Sequence, residues 1–236
     1  MRIALIQTPV EDFYFTPQRT YPLGLTHLAA VCHDLPVDVE IIDLLTLHGR
    51  YTIPVPDVFR HLMPYLPYDR APISAFHTYY HHGASWQWIA DHFKRNVYDV
   101  CALSSNFYTY TEEVLKTAEI IKSVSPATTV IAGGQNVGPY HDLITASPLI
   151  DHCLQGEAEE SFPQLIRALL ANGTNTDHIP GTWNKVHKRW NPPNICRTYG
   201  ISPDITAMPA ATYRIAGKPA IMISTSRGCP MNCRFC

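Results

Sequence analysis

The feature that most constrains this chain is a repeated alternation of short apolar runs with segments of helical periodicity. Arg2–Gln7 is mostly apolar and closes at Thr8 and Pro9, as a strand buried on both faces does. Leu25, Leu28, Ala29 and Cys32 then recur at helical spacing, and residues 37–43 read as a second strand. After a long insertion come a third strand at 100–104, a helix at 112–123, and a fourth strand at 128–132 that ends at Gly133 and Gly134. Residues 149–154 and 159–171 add a fifth strand and a closing helix. Strands of this length pair in parallel only through crossovers. The pattern therefore predicts an α/β fold, a doubly wound, Rossmann-like parallel sheet of about five strands with helices on both faces.

In such a sheet ligands bind beyond the carboxyl ends of the strands, where the strand order reverses. The residues expected there, and the candidates for cofactor binding, are Thr8, Pro9, Ser104, Ser105, Asn106, Gly133, Gly134, Gln135, Gly156 and Glu157. Adjacent glycines let a backbone approach a ligand closely or adopt positive φ, and small hydroxyl residues bond without bulk. A tight turn into the next helix accounts for the same residues, so spacing leaves both readings open. Glu157 and Glu159 precede a helix beginning near Ser161 and suit its positive N-terminal dipole, with a contact from Glu157 to a cofactor as the sharper alternative. Trp86, Trp88, Phe107, Tyr108 and Tyr110 read as core or pocket wall.

From residue 179 the chain changes character. A small hairpin over residues 182–190 ends at Asn191-Pro192-Pro193, a linker runs to Pro219, and residues 220–224 form the next strand pattern. The expected division is a sheet domain at 1–178, a linker with hairpin at 179–219, and the start of another unit at 220–236. Directly after that strand stand Cys229, Cys233 and Cys236 in a CxxxCxxC spacing. Three such thiolates can hold three irons of a [4Fe-4S] cluster and leave the fourth open to a small molecule. Structural zinc fits less well, because it takes four ligands, and among cysteines and histidines only Cys196 lies within about forty residues. A disulfide framework is disfavoured by the odd count of seven cysteines.

Composition narrows the function classes. With 46% hydrophobic residues over 236 positions the chain can bury one substantial core plus an appendage. No apolar run approaches a membrane span, and a net charge of −2 without a block of one sign gives no footprint for nucleic acid. Met1-Arg2-Ile3 leads straight into a strand pattern rather than a secretory signal, so a cytoplasmic location is expected. The 20 prolines cluster at 54–72 and 180–219, where irregular connections are expected.

Several stretches carry a family resemblance. Thr225-Ser226-Arg227-Gly228-Cys229 through Phe235-Cys236 resembles the cluster loop of the radical S-adenosylmethionine enzymes. Tyr21-Pro22-Leu23-Gly24-Leu25, Tyr98-Asp99-Val100, Ile131-Ala132-Gly133-Gly134 and Gly156-Glu157-Ala158-Glu159 with Phe162 resemble the N-terminal domain of the cobalamin-dependent members. Residues 76–89 are similar to an insertion in the branch near the anaerobic magnesium-protoporphyrin monomethyl ester cyclases. The resemblance implies a [4Fe-4S] cluster whose open iron chelates S-adenosyl-L-methionine and reduces it to a 5′-deoxyadenosyl radical. It also implies cobalamin held edge-on at the carboxyl ends of the strands, with Phe107 and Tyr108 placed to pack on the corrin. The parent enzyme would be a methyltransferase or a cyclase-like oxidoreductase acting on an unreactive carbon, with a small-molecule substrate and an electron donor. Residues 220–224 would be the first strand of a truncated radical barrel, and the chain a fragment, inactive alone.

The DxHxxG loop that supplies the lower cobalt ligand in many cobalamin domains has no match here. His81-His82 is the densest histidine pair, and it reads as two solvated loop residues rather than as cobalt ligands. Two other readings remain: a non-enzymatic cobalamin- or nucleotide-binding module, and a methylthiotransferase, in which loop cysteines of the N-terminal domain ligate a second cluster. Cys32 falls in a helix pattern, and Cys101 and Cys153 in strand patterns, so buried core is the expectation for them.

Overall fold

The computed structural model describes residues 1–16, 21–72, 74–138, 141–173, 176, 178–193, 202–208, 212–227, 231 and 233–234. In chain order its elements are β1 (Arg2–Gln7), β2 (Val10–Asp12), α1 (Leu23–Val31), β3 (Asp38–Asp43), β4 (Arg50–Ile53), β5 (Tyr79–His82), α2 (Trp86–Arg95) and β6 (Val100–Ser104). Then follow α3 (Thr111–Val124), β7 (Thr129–Gly133), α4 (His141–Ala146), β8 (His152–Leu154), α5 (Ser161–Leu170) and two hairpins, β9 (Trp183–Asn184) with β10 (Arg189–Trp190), and β11 (Arg214–Ile215) with β12 (Lys218–Pro219).

The expected parallel sheet is present, in the order β3-β1-β6-β7-β8. Leu5 lies opposite Ile41 on one side and Ala102 on the other, and Ala102 in turn opposite Ile131. Strand order reverses between β1 and β6. Period-two alternation sends Ala4, Ile6, Cys101, Leu103, Val130 and Ala132 to one face, where Ile89 and Phe93 of α2 and Val114, Ala118 and Ile121 of α3 cover them. Ile3, Leu5, Val100, Ala102 and Ile131 face the other way, onto Leu25 and Ala29 of α1 and Phe162, Leu165 and Ile166 of α5. Each fully buried Leu, Ile or Phe contributes roughly 1.5–3 kcal/mol, and a one-residue slip would exchange the two faces, so both cores specify the same register.

The long insertion is more ordered than its sequence suggests. Residues 10–12, 79–82 and 50–53 form a second, antiparallel sheet in the order β2-β5-β4, with Val10 and Arg50 both opposite His82. Strands of three or four residues are too short to display a period, which is why the sequence reads as loop there. Ser85 caps α2 by accepting from the Trp88 amide at 3.2 Å, and His92, Lys94 and Arg95 occupy its negative C-terminal turn. The proline-rich run Asp57–Tyr68 is a 3-10 helix, with Pro64 and Pro67 inside it.

This second sheet corrects the reading of His81 and His82 as solvated. Both are buried, at 0% and 1% exposure. His81 Nδ1 lies 2.9 Å from Glu11 Oε1 and its Nε2 2.8 Å from the Ala84 carbonyl, so neither nitrogen is open to a metal. His82 Nε2 lies 2.7 Å from the Tyr14 carbonyl.

The segment after residue 178 stays attached to the sheet. Thr182 bridges Leu154 in antiparallel sense, and Trp183 and Trp190 meet edge to face at 5.3 Å against the core. The Asp204 amide donates to the Thr26 carbonyl of α1 at 2.9 Å. Tyr213, buried, donates to Asp43 Oδ2 at 2.7 Å and accepts from Gln7 Nε2 at 3.3 Å, which brings the linker to the carboxyl ends of β3 and β1. Residues 220–224, expected as a strand, pair with no strand among the described residues, and Ile221, Met222 and Ile223 are exposed. A barrel strand needs neighbours on both sides, and the described residues supply none.

Candidate functional site

A cavity of about 870 Å³ opens over the carboxyl ends of β6, β7 and β8, on the face covered by α1 and α5. Its size falls within the range of cofactor sites. Ala102, Ile131 and Leu154 floor it, Leu23, Leu25 and Leu28 of α1 form one wall, and Met222, Ser224, Ser226 and Arg227 close it from the segment leading into the cysteine motif. Of the ten residues expected to bind a cofactor, seven line it: Ser104, Asn106, Gly133, Gly134, Gln135, Gly156 and Glu157. Thr8 and Ser105 instead line a separate hollow of about 30 Å³ at the β1/β6 reversal, room for about one water. Pro9 lines neither. Phe107 reaches the cavity, whereas Tyr108 does not, and Trp86 and Trp88 pack on the core.

The turn after β7 is held in place by backbone geometry and by Asn136. Gly134 has φ +117°, and a Cβ there would stand 2.4 Å from the Ser105 carbonyl oxygen, so the two turns can approach this closely only with glycine. The buried Asn136 amide donates to Ser105 Oγ and Thr111 Oγ1, both at 2.9 Å, and its backbone N–H to the Ser105 carbonyl at 3.0 Å. Ser105, 1% exposed, thus joins turns together and does not face the cavity.

The charged corner of the cavity joins three segments remote in sequence. Arg227 Nη2 contacts Glu159 Oε1, and Nη1 lies 3.9 Å from Glu157 Oε1. The two glutamates read as a helix-terminus pair from sequence therefore share a guanidinium as well. His27 of α1 lines the same cavity, and burial lowers its pKa, against the charge of Glu159 and with that of Arg227. Burial also raises the Tyr21 phenol, whose oxygen has no hydrogen-bond partner among the described residues. Arg227, His27 and Tyr21 carry no periodic signal, and only the family-like stretches around Tyr21 and Arg227 point to them.

Cys233 is exposed, while Cys229 and Cys236 lie outside the described residues. Among the described residues no group of three histidines, cysteines or carboxylates is arranged to hold a metal. Cys32, Cys101 and Cys153 are buried, and desolvation pushes each thiol up to about 12, as for packing residues rather than ligands. Among the described residues no helix is long and apolar enough to cross a membrane.

No family model matches the sequence. An uncharacterized methyltransferase of Pyrococcus horikoshii is 29% identical over 244 residues, covering 100% of this chain and 45% of that protein. The anaerobic magnesium-protoporphyrin IX monomethyl ester cyclase of Synechocystis sp. is 29% identical over 103 residues, 41% of this chain and 20% of that one. Among solved structures, the cobalamin-dependent S-adenosylmethionine radical enzyme OxsB superposes with a TM-score of 0.54 at 14% identity, covering 87% of this chain and 24% of that chain. The chain resembles the cobalamin-dependent radical S-adenosylmethionine enzymes. It spans less than half the length of these relatives. At 14% identity the superposition on OxsB shows a likeness of fold, and in this chain the cavity lies at the carboxyl edge of the sheet.

Proposed function

We propose that this chain is the cobalamin-binding part of a radical S-adenosylmethionine protein whose parent enzyme methylates or oxidatively modifies an unreactive carbon. The observation that carries the reading is the 870 Å³ cavity, because it brings the turns after β6, β7 and β8 together with the segment that leads into CxxxCxxC. The residues fit a large, flat, mostly apolar group. Leucine and isoleucine floor and wall the cavity, Gly133 and Gly134 bring backbone to its edge without side chains, and Ser104, Asn106 and Gln135 supply polar contacts at the rim. Cobalamin would rest on those residues. Cys229, Cys233 and Cys236 would hold a [4Fe-4S] cluster, which when bound supplies the electron for reductive cleavage of S-adenosyl-L-methionine. Arg227 and the glutamates would keep the corner between the two cofactors charged.

Buried Cys101 and Cys153 weigh against a methylthiotransferase with a second cluster in this domain. The test is anaerobic incubation of the chain with hydroxocobalamin, then with iron and sulfide, followed by desalting. Retained corrin absorbance and iron that Cys233→Ala reduces are the expected results. A chain that retains iron but no corrin sinks the cobalamin assignment, and iron lost on replacing Cys101 and Cys153 with alanine would restore the methylthiotransferase reading.

A further inference from the structure

We infer that the ion pairs of Arg227 with Glu159 and Glu157 form a positioning latch, which holds the approach to the cysteine motif across the carboxyl edge of the sheet and so closes the cavity from that side. The inference rests on the functional reading above only for what the motif carries. The latch itself is a property of the chain.

Three observations support it. Among the described residues, 220–226 have no ladder to hold them, and the last backbone tie there is the Ala220 amide donating to the Tyr213 carbonyl at 2.8 Å. Met222, Ser224 and Ser226 nevertheless line the cavity, so something beyond them fixes their course. Arg227 is the first residue past them that forms an ion pair among the described residues, and its side chain is 29% exposed against 10% for that of Glu159. With the Glu159 side chain largely withdrawn from water, the pair is screened less than one exposed on both sides.

The carboxylate side of the latch is rigid. Gly156, at φ +79°, turns the chain out of β8, and the Gln155 amide beside it donates to the Gly181 carbonyl at 2.8 Å. Glu157 and Glu159 therefore stand at fixed points, and the flexible partner is the arginine. Two carboxylates face one guanidinium, with His27 beside them. Removing Arg227 would take away the cation that Glu157 and Glu159 share, whereas Arg227→Lys would keep it. A latch of this kind determines how far a group on the cysteine motif stands from one resting on Gly133 and Gly134.

Limited thermolysin digestion of the whole chain, with mass spectrometry of cuts at Ile221, Met222 and Ile223, tests the inference alongside corrin uptake. Arg227→Gln is expected to speed cutting there about tenfold while β1, β6 and β7 stay intact. Arg227→Lys, which keeps the cation, is expected to be cut at close to the native rate. Unchanged cutting in Arg227→Gln, or cutting in Arg227→Lys as fast as in Arg227→Gln, overturns the latch. If the digestion results hold while no corrin is retained, the cobalamin reading fails and the latch stands. If corrin is retained and cutting is unchanged, the reverse applies.

Discussion

Glu113 should make this protein less stable as pH rises through the neutral range. It sits in the first turn of α3 at 5% exposure, with Oε1 accepting the Glu11 amide at 2.9 Å and Oε2 without a hydrogen-bond partner. Burial raises its pKa from 4.5 to about 7, and the charges of Glu11 and Glu112 push in the same direction. Between those two values the folded chain holds a proton that the unfolded chain has released, so stability is fully present below about 4.5 and is lost as pH rises through about 7. The linkage integral over that shift amounts to about 3 kcal/mol, of which about 2.5 kcal/mol accrues between roughly pH 5 and pH 8. Glu113→Gln keeps an acceptor for the Glu11 amide and removes the titration. Any cost of its unpaired amide is the same at both pH values. Urea unfolding of both proteins at pH 5 and pH 8 should therefore show the variant gaining about 2.5 kcal/mol relative to the parent as pH rises. Buried His82 and half-buried His27, His92 and His152, whose lowered pKa values give the opposite slope, cancel in that difference. Parallel stability profiles for the two proteins would refute the argument.

Gly134→Ala should destabilise the fold by about 2–3 kcal/mol or more, because φ +117° and a Cβ 2.4 Å from a backbone oxygen cannot both be relieved locally; thermal unfolding measures it, and a loss well under 1 kcal/mol would show that the two turns can separate. Tyr213→Phe removes the hydroxyl that bonds Asp43 and Gln7, and with Asp43 Oδ1 already unpaired, it should cost about 1–3 kcal/mol in urea unfolding. An unaffected midpoint would mean that the linker does not depend on that contact.

The sheet was legible because its signal is local and repeated. β1 and β6 match their apolar runs residue for residue, and the other strands shift by a few residues at their ends, where flanking turn chemistry rather than burial sets the limit. The site was legible to the extent that it follows from the sheet: the turns after β6, β7 and β8 do line the cavity, whereas the turn after β1 carries Thr8 and Pro9 away from it. Pro9 leads straight into β2, a strand too short to read, and that departure moves the turn. His81 looked solvated for the same reason, since its burial comes from α2 and Glu11 folding over it, contacts that sequence spacing does not encode.

By itself, then, the sequence determined the parallel sheet, its two apolar faces and the turns at its carboxyl edge, because periodicity and turn residues act over a few neighbouring positions. The spacing of Cys229, Cys233 and Cys236 belongs to the same local class. Tertiary structure decided that Glu157 and Glu159 meet Arg227, that Tyr213 reaches Asp43, and that Glu113 is deprived of water. Those ion-pair and hydrogen-bond contacts join residues from 68 to 170 positions apart in chain order with no repeating pattern between them, and only the packed fold brings them within bonding distance.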